Sequence, residues 1–452
     1  MTYDLRAKLD AKFAEFEHRL NGQKTSSMHQ IRRNAYDSFQ SMGFPTVKHE
    51  EWKYTNMSFV NKHDFILHLA PSEVAITKDE IKPFMLRDIK ENLPVFVNGF
   101  YSPDLSSIKD KKDKIRIGAL SELISENSAH LDKHFSKYVH YSENPFAAIN
   151  TAFAQDGAYI YIPEGVSIEN PIHILHLTDT RLGAVFSNPR NLIILGRCAN
   201  ARIFESSHTF GDIPAFTNSV SEIILNFSSQ LEYYKIQNNS INSYYIGTSQ
   251  VAQEENSVFN SVVVTLKGNF VRNNLSALLN NENCETNFNG FYYLDGSSFV
   301  DNHTLADHAK PNCQSNELYK GILDDSSTAV FNGKVMVRKD AQKTNAYQSN
   351  KNILLSDNAK INTKPQLEIF ADDVKCSHGA TSGYLDKDSL FYLSARGIGE
   401  DMAKALLLNA FAGEIIEKIK IDELRDEVKR QVAERLNIED IYFCDVLDNI
   451  KD

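Results

Sequence analysis

The feature that most narrows what this chain can fold into lies between about residues 150 and 375. There the helical hydrophobic period disappears, and short apolar or alternating runs follow one another between polar turns. Examples are Ala158–Ile162, Asn191–Leu195, Ser221–Leu225, Val262–Leu266, Asn289–Leu294 and Lys334–Val337. Asp156-Gly157, Lys267-Gly268-Asn269, Asp295-Gly296 and Asn332-Gly333 read as the turns between such runs. Asn is abundant, as in Gln237-Asn238-Asn239 and Asn280-Asn281-Glu282-Asn283. A stretch of strands this long with no intervening helices excludes a doubly wound sheet and leaves a sandwich, a propeller or a parallel β-helix. The stacked solenoid fits best, because each rung needs short strands and turn-facing Asn can form amide ladders. No strict sequence period accompanies it, and the sandwich is its main rival.

Both ends are helical. Leu5, Leu9, Phe13, Phe16 and Leu20 recur at helix spacing, with Asn21-Gly22 as the stop. Ile31, Ala35, Phe39 and Met42 repeat the pattern behind a Ser26 or Ser27 cap, and Gly43 ends it. Residues 75 to 150 read as mixed, with a Lys/Asp-rich loop at Lys109–Lys114. In the tail, Gly397 and Gly399 break one segment. Asp401 is expected to cap a helix carrying Met402, Leu406, Phe411, Ile415 and Ile419 inward. Asp422 is expected to cap a second, with Leu424, Val428, Val432 and Leu436 as one stripe. Two amphipathic helices in so small a tail must pack on the solenoid or on another protein. The expected division is a helical and mixed region over 1–150, a β core over 151–375, and a C-terminal segment over 376–452.

The balance of 48 basic and 59 acidic residues, a net charge of −11, argues against a general binder of nucleic acid or anionic membrane. The start lacks a basic and apolar leader, and no apolar run approaches the length that spans a bilayer. Cys198, Cys284, Cys313, Cys376 and Cys444 are scattered, odd in number and without a Cys-x-x-Cys pair. A disulfide framework or a self-sufficient zinc site is therefore not expected, and a reducing cytoplasm fits.

Cys376-Ser377-His378 is the motif with most chemical content. In an extended segment, Cys376 and His378 share a face, where thiolate and imidazole suit iron or an iron–sulfur cluster. A neighbouring imidazolium would also lower the thiol pKa. Taken alone, the pair reads more readily as a buried Cys beside a hydrogen-bonded His. Asp295, Asp301, His303, Asp307 and His308, with Cys313 beyond, form a second cluster, for which solenoid-corner hydrogen bonding is the favoured reading. Cys198, Cys284 and Cys444 read as packing residues. There is no phosphate loop, dinucleotide fingerprint or Gly-x-Ser-x-Gly elbow, so any ATP used in this protein's work is expected to be hydrolysed by another subunit.

Asp372–Thr381 with Phe391–Ile398, Val330–Val335, Thr344–Asn350, Asn352–Ser356, Leu367–Ile369 and, near the start, His49–Thr55 form a set of ordered motifs. Together they resemble the SufB/SufD family. Ser377 and Gly379 resemble the SufD branch more than SufB, where acidic residues would flank that His. The resemblance implies a mainly β fold, a right-handed parallel β-helix with α-helical N- and C-terminal regions. It implies a non-catalytic scaffold that helps a SufB-like paralogue and a SufC-like ABC ATPase build a nascent iron–sulfur cluster for transfer to apoproteins. It places the paralogue at the end of the β-helix, the ATPase on the C-terminal helices, and His378 ahead of Cys376 as candidate ligands of a transient, shared cluster. Pairing with a second copy of the same chain is the expectation for the isolated protein. A β-helix polysaccharide lyase or hydrolase using Asp295, Asp301 and Asp307, and a structural solenoid binding no cluster, are the alternatives.

Overall fold

In the computed structural model, two parallel sheets run the length of the core, and the chain crosses from one to the other in every turn. The structure describes residues 3–20, 26–71, 76–86, 89, 91–110, 114–126 and 128–436. The expected stop at Asn21-Gly22, the centre of the Lys109–Lys114 loop and Cys444 lie outside the described residues. The strands Ala215–Leu225, Ser243–Gln253, Phe270–Leu279, Phe299–His308 and Thr328–Val337 stack in one sheet. Gln230–Asn238, Val258–Lys267, Glu285–Leu294, Gln314–Leu323, Thr344–Leu354 and Val374–Gly383 stack in the other. This is a parallel β-solenoid with helices at both ends. Each apolar run named above falls within a strand.

The missing sequence period has a geometric cause. Register partners such as Val251↔Ala277 are 26 residues apart, whereas Leu192↔Tyr159 are 33 apart, because the corners differ in length. What does repeat is a backbone conformation. Cys198, Ser228, Asn256, Asn283, Asn312 and Lys343 each occupy one corner per rung with φ between 54° and 62°. Each donates its N–H to a carbonyl of the next corner, over 2.6–3.4 Å. Asn tolerates this left-handed region better than most residues, which accounts for its abundance at the corners. The amide ladder is on a strand face rather than at the turns: Asn316 donates to Asn287, Asn287 to Asn260, and Asn260 to Glu232.

Asn332-Gly333 is not a turn but the middle of the Thr328–Val337 strand. A Cβ on Gly333 would approach the Gln348 amide nitrogen to 2.3 Å, so the glycine makes room for an amide inside the solenoid. The interior is otherwise aliphatic and aromatic, with Ile160, Ile193, Ile223, Val251, Phe288, Phe331 and Val335 in one continuous core.

At the N-terminus, the Leu5–Arg19 helix buries Leu5, Leu9, Phe13 and Phe16, and Ser26 caps the Ser27–Met42 helix by accepting from the His29 N–H. Both join Phe146 and Phe153 in a cluster that lies along the strand starts of the first sheet, with Phe186, Phe216, Tyr244 and Phe270 from successive rungs. At the other end, the Lys387–Ala395 helix stops at Gly397, whose φ is +87°.

The Glu400–Ile416 and Asp422–Arg435 helices lie on the outer face of the second sheet, where Leu408, Ala412, Ile415, Ile416, Leu424, Val428 and Val432 meet Phe204, Tyr234, Val262, Val264, Phe291 and Tyr293. The Leu424 stripe is as expected. Of the face expected for the first helix, Ile415 and Ile419 are buried and Phe411 packs partly against the same core, but Met402 is exposed, and Ala403, Ala405, Leu408 and Ala412 are buried as well. Ala412 packs with Leu408 on the aromatic sheet face, while Ala405 packs against Ala433 of the second helix. Asp401 and Asp422 lie in the first turns, and Gly399 and Ile421 hold the cap positions.

Candidate functional site

The last strand of the second sheet, Val374–Gly383, carries Cys376 and His378 and straddles the expected division at residue 375. It pairs along one edge with Thr344–Leu354, bringing Cys376 opposite Ala346 and His378 opposite Gln348. No described strand pairs with its other edge. Val374 and Cys376 pack against the end of the interior core, and strand alternation puts His378 on that same inward face, where it is exposed at the solenoid's open end. The structure therefore brings the two candidate residues onto one accessible face.

The Cys376 thiol is not activated in this chain. Burial pushes its pKa up, and a hydrogen bond with the Ala346 backbone only partly opposes that shift. The expected depression by His378 is absent. Beneath His378, Gln348 donates from Nε2 to Glu317 at 2.7 Å inside the solenoid. Burial raises the Glu317 carboxyl to about 7, against the lowering influence of the nearby Thr304 hydroxyl and the Gln348 amide. Sequence reading missed Glu317, because only the rung register shows it to be an interior residue.

Large apolar side chains are exposed in the segments that flank this strand. Phe391 is 74% exposed, Tyr384 64%, Phe370 63% and Tyr392 50%. The Lys387–Ala395 helix buries none of its residues. An unpaired strand edge beside exposed aromatic side chains is the surface a monomer ordinarily protects and an interface uses.

The second cluster has a different purpose. Asp301 is buried 2.5 Å from the Arg272 guanidinium, which stacks over the Trp52 ring at 3.8 Å. Thr55 donates to Asp301, Arg272 donates to the Glu51 carbonyl, and His303 lies between Glu51 (3.3 Å) and Asp301 (3.0 Å). Burial alone would raise the Asp301 carboxyl, but Arg272, His303 and Thr55 hold it down at about 2. The cluster is a clamp that fastens the Glu50–Thr55 segment to the solenoid wall, not a corner network. Asp295 pairs instead with Arg435, Asp307 with Arg338 and His308 with Ser315, so these residues do not converge. The carboxylates proposed for a lyase site are dispersed.

Of the cysteines read as packing residues, Cys284 is buried in the core as expected, and Cys198 is not. Cys198 is exposed at a left-handed corner rather than packed in the core. Cys284 and Cys313, unconnected in sequence, lie at equivalent corners of adjacent rungs. Among the described residues, no group of three or more His, Cys, Asp and Glu side chains could hold a metal ion, and no helix is long and apolar enough to cross a membrane.

Comparison with known proteins identifies the fold's relatives. Residues 4–174 match the SufBD protein N-terminal region, and residues 177–411 match the "SUF system FeS cluster assembly, SufBD core domain". An iron–sulfur cluster assembly SufBD family protein of Synechocystis is 34% identical, covering 92% of both chains. The iron–sulfur cluster assembly protein SufD of Escherichia coli is 30% identical over 87% of this chain and 90% of its own. A chloroplastic protein of Arabidopsis thaliana, ABCI7, is 31% identical over 92% of this chain and 88% of its own. Two matched regions that together span the solenoid and its N-terminal helices, with full-length relatives of the same description, leave one assignment: this chain belongs to the SufBD family of the SUF iron–sulfur cluster assembly system.

Proposed function

We propose that this chain is a non-catalytic scaffold subunit that contributes one side of a shared site at which a nascent iron–sulfur cluster is built. The observation that carries the reading is the open end of the solenoid. His378 and Cys376 share a face there, beside an unpaired strand edge and flanking segments with exposed aromatic residues. A second parallel solenoid presenting its own terminal edge could continue the sheet across the junction, as extended segments add to exposed edges elsewhere. The missing ligands would then come from the partner, for which a SufB-like paralogue is the expected occupant. His378 is the principal ligand candidate, because Cys376 remains a protonated thiol until something supplies a positive charge or a metal ion. The nascent cluster is cargo, held transiently and passed to apoproteins.

The ATP-hydrolysing subunit, a SufC-like ABC ATPase, is assigned to the C-terminal helical region. The two longer tail helices spend their apolar faces on the solenoid, so the free docking surface is the Lys387–Ala395 helix with Phe391, Tyr392 and the adjacent Met402. A cytoplasmic location suits four described cysteines that are all free thiols.

Co-expression with the paralogue and the ATPase tests this reading. Both partners should co-purify with the wild-type chain. A Phe370→Asp, Tyr384→Asp variant should lose the paralogue, and a Phe391→Asp, Tyr392→Asp variant should lose the ATPase. Retention of both partners by both variants would contradict the assigned surfaces. Pairing of the isolated chain with a second copy through the same end should be lost with the first variant only.

A further inference from the structure

Cys284 and Cys313 form a candidate redox site within the solenoid wall, distinct from the open end. Each immediately precedes an in-register strand position, Glu285↔Gln314, and the Gln314 N–H donates 2.9 Å to the Cys284 carbonyl. The two residues are therefore stacked one above the other on successive rungs. Adjacent strands lie about 4.8 Å apart, inside the range of about 4.4–6.8 Å between Cα atoms that a disulfide accepts. Both sulfurs lie 3.2 Å from the same atom, the carbonyl oxygen of Asn281. They are buried, yet they lie directly behind a corner whose Asn280, Glu282 and Asn283 are exposed.

The other residues in this column, Ala199, Ser229, Ser257 and Thr344, show that the position selects small side chains. Size alone could account for one cysteine. Two on consecutive rungs, directed at one carbonyl, create a dithiol. The two sulfurs also differ in character. The Ser257 hydroxyl donates to the Cys284 sulfur at 4.0 Å, and with the neighbouring Cys313 as the largest influence the Cys284 thiol lies below its ordinary value despite burial. Cys284 in turn pushes the Cys313 thiol up.

We propose that Cys284 and Cys313 are an oxidisable dithiol, with Cys284 as the attacking thiol and Cys313 as the resolving one, whose oxidant is a hydroperoxide. In the first step the Cys284 thiolate attacks the terminal peroxide oxygen; the O–O bond breaks, a sulfenic acid forms, and the leaving oxygen is protonated to an alcohol, or to water when the oxidant is hydrogen peroxide. In the second, the Cys313 sulfur attacks the Cys284 sulfur; the S–OH bond breaks, the hydroxide takes up the Cys313 thiol proton and leaves as water, and the disulfide joins the two rungs. Two thiols are oxidised and one hydroperoxide is reduced. The proposal is independent of any role for His378.

Hydrogen peroxide is the probe for the full-length, reduced, folded chain, followed by alkylation and peptide mapping. The expected result is the loss of two alkylatable thiols and one linked peptide pair joining Cys284 to Cys313, reversed by dithiothreitol. Cys313→Ser should halt the reaction at a sulfenic acid on Cys284 that dimedone captures. Cys284→Ser, a replacement already present in this column at Ser257, should leave Cys313 reduced and alkylatable. Oxidation confined to exposed Cys198, with Cys284 and Cys313 both alkylated on unfolding, would show a packing pair only and overturn the proposal. So would equal dimedone capture at Cys313 in Cys284→Ser.

Discussion

At the scale of single residues, two buried carboxyls behave oppositely because only one has a cation. Asp301 faces Arg272 and stays ionised. Its folded pKa of about 2 is below the ordinary value, so its contribution is present above about pH 4 and is lost as pH falls through the folded value. Arg272→Ala would leave that buried carboxylate with only His303 and Thr55 beside it, at a cost of about 3–5 kcal/mol. Chemical denaturation at neutral pH checks this, and a loss below 1 kcal/mol, roughly that of a surface pair, would contradict the clamp. Glu317 has Gln348 and Thr304 but no cation, and its pKa is raised to about 7. Its neutral form is favoured in the fold, so stability is full below the ordinary carboxyl range and declines as pH rises through about 7. Glu317→Gln should remove that decline, stabilising the chain above pH 8 by on the order of 3 kcal/mol relative to wild type. Parallel stability curves for the two proteins from pH 5 to 9 would refute it. Sequence spacing could pair Asp301 with His303 on one strand face, but Arg272 and Trp52 reach them across chain separations that no local pattern encodes.

At the scale of elements, the two longer tail helices are structural parts of the solenoid as well as neighbours of the proposed docking surface. Ile415 is buried against the aromatic sheet face, and Ile415→Ala should cost about 2–5 kcal/mol. Phe391→Ala, on a helix that buries nothing, should change stability by less than about 0.5 kcal/mol while weakening capture of the ATPase. Unfolding midpoints and a pull-down with the two variants separate these effects; a large destabilisation by Phe391→Ala would mean the helix is packed after all. Deleting residues 397–452 would expose the sheet face under Leu408, Ile415 and Val428, so truncation alone would confuse lost docking with misfolding. The strands were readable from alternation, and the caps at Ser26 and Gly43 from residue type. The face of the Glu400–Ile416 helix was readable only in part, because its apolar residues nearly encircle it and only the sheet beneath decides which of them go inward. Asn332-Gly333 misled for a related reason: a glycine needed for side-chain clearance inside a sheet looks, locally, like a turn.

At the scale of the molecule, a solenoid differs from a closed fold in having ends, and this one treats its ends differently. At the N-terminal end, short antiparallel strands close the sheets, Arg116–Ala119 on Ala158–Ile162 in one and Ser107–Ile108 on Asn92–Leu93 in the other. The C-terminal end presents an unpaired strand, exposed aromatic side chains and the Cys376/His378 face. Alternation and the absence of helices pointed to a solenoid, but rungs of unequal length hid its repeat. No pattern within one chain could show that the Cys-Ser-His segment is the last rung rather than an interior one. That placement is what makes a shared site plausible, since two ligands are too few for a cluster but enough for half of one. The most direct test is anaerobic iron and sulfide analysis of the purified complex with its paralogue and ATPase, comparing wild type with His378→Ala. The account predicts an intact complex whose iron and sulfide fall at least several-fold. An intact complex with wild-type iron and sulfide would contradict it.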